Sequence, residues 1–495
     1  MSWIILTVFI IYTVLILAIA HITSRKSNNE TFFTGNRKSP WFVVAYGMIG
    51  ASLSGVTFMS VPGDVYTTQF TYFGIVLGYI IGYAVIAFIL LPLYYKLNLT
   101  SIYSYLEMRF GRHSEKTGAA FFILSRLLGS ALRMYLVVFV LYEFVFKAWG
   151  IPFWVPAVIF IALILVYTFK GGIKTVVWTD LLQTTFLLLA AIITVVCILN
   201  ELDMSIPDLL KASSEEGYTK LFETDPNHSK FWLKQILSGA FITIVMTGLD
   251  QDMMQKNMTC KNLRSAQKNV ITSSILFIFV NIIFLCLGAA LIYYAQKTGF
   301  ALPKELNTKG EIVVANDMIF PSIAFSFSKL TSIVFVIGLV AAGYSSADGT
   351  LTALTTTFCF NFLDSDSKKE LSEEQKLKIR KRIHIVFAAL YLLVIILFRP
   401  FHDQSLIDKL FQIASYTYGP LLGLYSFGLF VKNRKPIDKI VPYIAIASPV
   451  LCYILNMNSK EWFDGYEFGF ELLIINGLIT FIALLAISKK QKINI

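Results

Sequence analysis

Long apolar runs recur along almost the whole chain, each bounded by a short polar or charged segment. They lie near residues 3–20, 41–68, 71–95, 117–146, 152–169, 175–199, 235–255, 269–296, 331–362, 384–400, 405–431, 438–457 and 467–488. A bilayer core is crossed by about 20 apolar residues in helical form, so the pattern predicts about thirteen membrane-spanning helices. The first run, Trp3 to Ala20, has no basic residues before it. It therefore reads as a retained helix, although Ala18–Ala20 imitates a signal-peptide cleavage site. No polar segment is long enough to form a separate soluble domain.

Two of the runs are interrupted at mid-depth. The first reads Gly50-Ala51-Ser52-Leu53-Ser54-Gly55-Val56-Thr57, followed by Met59-Ser60-Val61-Pro62-Gly63. Such residues weaken a helix, and carbonyls freed inside a membrane must find other partners. Five spans later Ile244-Val245-Met246-Thr247-Gly248 repeats the interruption more weakly. Paired interruptions in two halves of a chain point to a transporter built from inverted repeats. Small-residue helix packing is the plainer alternative.

Composition removes the soluble alternatives. The 495 residues are 56% hydrophobic and 15% charged, against about 45–50% and about 25% in soluble domains. The net charge of +11, from 42 Lys+Arg and 31 Asp+Glu, is a matter of topology. With the N-terminus outside, roughly 28 basic residues fall in cytoplasmic loops or the tail, roughly 12 outside and two within a span. Arg25, Lys26, Arg37 and Lys38, the run Lys368–Arg382, and Lys489, Lys490 and Lys492 form this inner rim. Nucleic acid is not implied. Cys197, Cys260, Cys286, Cys359 and Cys452 form no CxxC pair and read as small buried hydrophobes. His21, His113, His228, His384 and His402 lie at span ends or in loops, where solvated or interfacial positions are expected. There is no phosphate loop, nucleophile elbow or nucleophile–base pair, so an enzyme is not predicted.

The chemistry sits in a few polar residues inside spans. Ser345 and Asp348 are three apart and share a helix face. Asp180 lies about two turns into its span. Hydroxyls, carboxylates and freed carbonyls suit a small hard cation such as Na+, and no His or Cys stands near to suggest a transition metal. Arg133 is near mid-depth, with Arg126 and Ser130 at helical spacing before it. A buried guanidinium fits a carboxylate-bearing ligand. It also fits an internal pair with Glu143, Asp180 or a carbonyl. Arg126 is shallower and reads as structural. The run Tyr416-Thr417-Tyr418-Gly419-Pro420 reads as an outer gate or a packing kink.

On several of these motifs together the sequence resembles a bacterial member of the sodium/solute symporter family. The matching pieces are Ser54 to Met59 with Pro62-Gly63, Gly171-Gly172 followed by Val177 to Asp180 and Gln183, Asp250 to Lys256, and Ala342 to Ser346. The resemblance implies an all-α LeuT-like fold of two inverted five-helix repeats. These occupy residues 41–199 and 235–432, with a leading helix at 1–24 and two trailing helices in 433–495. It places the main Na+ site on the carbonyls of Gly50, Leu53 and Ala342 and the hydroxyls of Ser345 and Ser346. Back-bonding of the two serines to their own helix is the alternative.

Some relatives, including bacterial sialic acid symporters, carry a second Na+ site. Here it would involve Asp180 and Ser345, with Asp348 and Gly349 where two serines are expected. Asp348 then either supports a second Na+, stays protonated, or pairs with a neighbouring helix. The substrate pocket is expected beside the first break, at Ser52, Ser54, Thr57, Tyr72, Phe73, Arg133 and Thr243. The similarity to sialic acid symporters is partial, since Val76 stands where a Gln is expected. The Asn, Tyr and Trp cluster of the sugar-transporting branch is missing between Thr243 and Thr247. The implied function is Na+-coupled import of a small organic solute by alternating access, with a carboxylate such as sialic acid favoured. A neutral sugar or other metabolite, or a non-transporting sensor of the same fold, are the alternatives. The expected setting is the bacterial inner membrane, with a cytoplasmic C-terminus and a protein functional as a monomer.

Overall fold

The computed structural model describes residues 2–25, 27–306, 311–363, 372–399 and 406–490. Lys26, Lys368, His402 and Lys492, named above, lie outside the described residues. The chain forms a bundle of helices. In order these are α1 (Ser2–Ser24), α2 (Trp41–Ser52), α3 (Gly55–Thr68), α4 (Phe73–Lys96), α5 (Arg112–Trp149), α6 (Trp154–Gly171) and α7 (Ile173–Glu201). Then come α8 (Trp232–Gly248), α9 (Gln251–Met258), α10 (Leu263–Thr298), α11 (Asn316–Phe327), α12 (Lys329–Asn361) and α13 (Glu373–Leu397). The chain continues with α14 (Leu406–Thr417), α15 (Gly419–Phe430), α16 (Val441–Met457) and α17 (Leu472–Ala486). Two short antiparallel pairings, Lys304–Leu306 with Ile312–Val314 and Arg434–Pro436 with Ser488–Lys490, are the strands among the described residues.

Among the described residues eight helices are long and apolar enough to span a membrane, or ten when each bent pair counts as one span. The three further expected spans correspond to helices that miss this test for physical reasons. The first turns of α13 are charged, α14 and α15 are two short pieces, and α17 has only 15 residues. Helix α13 also begins well before residue 384 because Ser372 and Gln375 form a capping box at its start.

Both expected interruptions are breaks. Helix α2 stops at Ser52, Leu53 and Ser54 are extended, and α3 leaves at 60°. The Ser54 hydroxyl accepts from the Thr57 N–H at 3.5 Å and so caps α3. Helix α8 ends in a π-turn at Ile244–Gly248, and α9 leaves at 65° with Asp250 as its cap. The interruption that was weaker in the sequence is as sharp in three dimensions. Each break opens a run of five spans, α2/α3 to α7 and α8/α9 to α14/α15.

Between the breaks, α7 and α12 cross the middle of the bundle, and α2 packs on α7. Phe58 of α3 sits among Phe284, Phe320 and Phe335, which fixes the second half of the broken span under α11. Tyr12 carries α1 against Tyr344 of α12. His384 departs from expectation. It is buried, with Nε2 2.9 Å from Thr168 Oγ1 and Nδ1 2.8 Å from Thr355 Oγ1, because α13 packs against both α6 and α12. Cys260, Cys359 and Cys452 are buried as expected, whereas Cys197 and Cys286 are partly exposed.

Helices α4 and α8 approach closely because glycines face one another. A Cβ on Gly78 would stand 2.7 Å from the Ala240 nitrogen, and one on Gly239 would stand 2.9 Å from the Ile75 carbonyl carbon. Backbone cannot yield as a flexible side chain can. Gly239→Leu is therefore expected to cost about 3 kcal/mol or more, read as a lower Tm and loss of the monodisperse peak in detergent, while Ser214→Leu, at an exposed position of the short helix Ile206–Glu215 that follows α7, leaves both unchanged.

Candidate functional site

A cavity lies beside the break between α2 and α3. Its walls come from both repeats: Ser52, Leu53 and Thr57 from the break, Tyr72, Tyr79 and Tyr83 from α4 and its approach, and Arg126 and Arg133 from α5. Thr243, Met246 and Thr247 of α8, Phe277 and Asn281 of α10, and Leu410 and Phe411 of α14 complete it. Of the seven residues expected in a pocket, Ser52, Thr57, Tyr72, Arg133 and Thr243 line it. Ser54 and Phe73 do not. The Ser54 hydroxyl is engaged as the α3 cap, and Phe73 packs against the apolar core. Tyr79, Tyr83 and Asn281 were missed. The tyrosines are four apart on one face of α4, a spacing that also describes ordinary core.

Among the described residues, four buried polar atoms on residues lining this cavity have no hydrogen-bond partner: Ser52 Oγ, Asn281 Oδ1, Arg126 Nε and Arg133 Nε. Arg133 is 6% exposed and forms an ion pair with no carboxylate among the described residues. The two acids expected as internal partners for it are engaged elsewhere. Glu143 holds Lys147 at 2.7 Å, and Asp180 holds Lys256. A guanidinium in this setting keeps its donors for something that enters the cavity.

Of the residues expected to hold a cation, Gly50 and Leu53 stand at the end of α2 and Ala342, Ser345 and Ser346 on α12, and the two helices pack together. The Leu53 N–H bonds back to Ile49, which leaves the carbonyls from Gly50 onward beyond the helical ladder. The Gly50 N–H donates to Thr184 Oγ1 of α7 at 3.1 Å. A side chain at 50 would collide with Thr184, so α2 lies directly on α7. Across from them on α12, Ser346 Oγ donates to the Ala342 carbonyl at 3.0 Å and Ser345 Oγ donates to Asp180 Oδ1 at 2.6 Å. Each serine oxygen still has lone pairs to offer a cation.

A buried ionic chain runs away from this point. Asp180 meets Lys256 at 2.9 Å, Lys256 meets Asp252 at 3.6 Å, and Asp252 bonds Arg126. Arg126 lies 3.6 Å from Asp250, which accepts from Tyr418 Oη at 2.6 Å. The chain joins α7, α9 and α5, and ends in the Tyr416–Pro420 run, where the helix does break between α14 and α15. Arg126 is thus structural, as expected. Asp250, Asp252 and Lys256 had only a motif to mark them, because their partners lie on distant parts of the chain.

A sequence profile for the sodium:solute symporter family matches residues 32–435. The sodium/sialic acid symporter NanT of Aliivibrio fischeri is 26% identical over 465 residues, covering 92% of this chain and 88% of the relative. The sodium/sialic acid symporter SiaT of Proteus mirabilis is 26% identical over 468 residues, covering 93% and 91%. Among solved structures, a substrate-bound, outward-open Na+-coupled sialic acid symporter superposes with a TM-score of 0.83 at 24% identity. It covers 98% of this chain and 99% of its own, and carries the same fold.

The ionic chain generates a test of its own. Removing one member of a buried pair leaves an uncompensated charge, at about 3–5 kcal/mol. Arg126→Gln should lower the Tm of the purified protein accordingly. Arg126→Gln/Asp252→Asn should recover at least half of that loss.

Proposed function

The chain belongs to the sodium:solute symporter family, and from that premise we propose that it is a Na+-driven symporter importing sialic acid. One observation carries the choice of substrate. Arg133 presents a buried guanidinium, without a carboxylate partner among the described residues, to a cavity walled by hydroxyls. A carboxylate on the solute supplies the missing counter-charge, in a two-point contact with the planar guanidinium. Ser52, Thr57, Thr243, Thr247 and Asn281 can meet the hydroxyls of a polyol, and Tyr72, Tyr79 and Tyr83 can cover its apolar faces. A neutral sugar would leave Arg133 unanswered in the bound state, which disfavours that reading. Two relatives named for sialic acid over nine-tenths of this chain support the acid.

Na+ would bind the Gly50, Leu53 and Ala342 carbonyls and the Ser345 and Ser346 hydroxyls. Bound there it ties α2, at its break, to α12. The two helices belong to different repeats, so the ion holds one relative position of the repeats and favours substrate entry from outside. Coupling follows from this difference in affinity between the two states, since an ion that bound both equally would shift nothing. When the repeats rock, the contact between α2 and α12 loosens and the ion and solute leave on the other side.

The working setting is the bacterial inner membrane, with the N-terminus outside, the C-terminus in the cytoplasm and one chain as the functional unit. The inner basic rim of the sequence supports that orientation.

Proteoliposomes with an imposed Na+ gradient test the proposal. Labelled sialic acid should accumulate only with Na+ outside. Arg133→Ala should reduce uptake about 100-fold, in line with about 2–5 kcal/mol for truncating one partner of a buried charge pair. Arg133→Lys should recover only part of it. Ser346→Ala should raise the Na+ concentration for half-maximal uptake about tenfold, for the loss of one ligand. Uptake that Arg133→Ala leaves unchanged removes the arginine from the site.

A further inference from the structure

Asp180 and Asp348 lie on facing helices, but the space between them is not simply lined by acids. Lys256 reaches into it from α9. The lysine is 1% exposed, with Nζ 2.9 Å from Asp180 Oδ2 and 3.6 Å from Asp252 Oδ1. It lodges against the backbone of Gly349 on α12. A Cβ at that position would stand 2.8 Å from Lys256 Nζ and would also collide with Asp252 Oδ1. The missing side chain at 349 is what admits the ammonium.

Asp348, next to it, is satisfied from other directions. Its Oδ2 accepts from Tyr167 Oη at 3.0 Å, Thr179 Oγ1 at 3.3 Å and Gln183 Nε2 at 3.5 Å. Its Oδ1 accepts from the Gly349 N–H at 2.6 Å. Donors from α6, α7 and α12 therefore surround this carboxylate, and Asp180 is left as the partner of the lysine.

We infer that the Lys256 ammonium is a tethered resident cation held by Asp180, Asp252 and Gly349, that it takes the place a second Na+ would need, and that the carrier couples one Na+ to each substrate. The coupling ratio rests on the Na+-symport reading; the occupancy of the site by lysine does not. Na+ and the ammonium carry the same charge, and one repels the other across a few ångströms of low-dielectric interior. They differ in one respect that matters for transport. A diffusible Na+ exchanges with both baths and draws on the gradient, whereas a cation on a side chain exchanges with neither. Lys256 thus keeps the cluster neutralised throughout the cycle and adds nothing to the driving force. With a singly charged acid as solute, one Na+ per substrate moves no net charge, so uptake is insensitive to membrane potential.

The test is a count of radiolabelled Na+ bound at saturation to the purified full-length protein. The wild type is expected to bind one Na+, and Asp180→Asn also one. Lys256→Gln is expected to bind two, and Lys256→Gln/Asp180→Asn to return to one. Two Na+ on the wild type, falling to one in Asp180→Asn, would overturn the inference, as would a count of one in a folded Lys256→Gln. Should Lys256→Gln not fold, the wild type and Asp180→Asn decide alone: one and one upholds the inference, two and one removes it. No Na+ on the wild type brings down the Na+-symport reading instead. In proteoliposomes, uptake of sialic acid should rise with Na+ with a Hill coefficient near one and ignore a potassium diffusion potential; a coefficient near two with potential-driven uptake counts against it.

Discussion

Charge at bilayer depth must be answered nearby, and that constraint organises the centre of this molecule. Water is too far away to solvate a carboxylate or a guanidinium there, so each one is paired, hydrogen-bonded or left for a ligand. Asp180, Lys256, Asp252, Arg126 and Asp250 answer one another in a continuous chain. Asp348 is answered by hydroxyl, amide and backbone donors. Arg133, buried at the cavity wall, has no acid partner among the described residues. The ionic chain ties helices together, and the arginine at the cavity is left without an acid.

The broken helices obey the same rule for dipoles in place of charges. A helix that stops inside a membrane exposes carbonyls at one end and N–H groups at the other. In the first break Ser54 takes up an N–H group of α3, and the Gly50 N–H leans on Thr184. The carbonyls on the other side of the break are what a small cation can use. In the second break Asp250 caps α9 and holds Tyr418 at the same time. That one carboxylate connects the break in α8/α9 with the break in α14/α15. Three discontinuities, two of them in the second repeat, are therefore physically linked to the helix that carries Arg126 and Arg133.

Family membership and the site agree on the class of work and leave the details to this chain's own residues. The glycine at 349 and the acid at 348 stand where relatives with a second ion site were expected to carry serines. In the fold those two departures are neighbours with separate tasks: one makes room for a lysine, and the other is solvated by protein donors.

Much of this was legible in the sequence, because the relevant signals are local. Span length and spacing gave the helical class and its repeats, since a bilayer sets how many apolar residues a helix needs. Gly50 to Thr57 marked the first break, and Arg133 stood out because a cation at mid-depth is costly wherever it points. Ser54 was misplaced because a hydroxyl at a break can serve either as a cap or as a ligand contact, and only backbone direction separates the two. His384 was misplaced because position along a span says nothing about which helix packs over it. The role of Lys256 was the least legible. Its partners Asp180 and Gly349 are far from it in sequence, and a pairing between separate helices has no periodicity to reveal it. The sequence by itself determined the long apolar helices, where two of them break, and that Asp180, Asp348 and Arg133 lie inside spans; the tertiary structure alone decided which further charges are buried with them and which neutralise one another, because that depends on distances across the bundle.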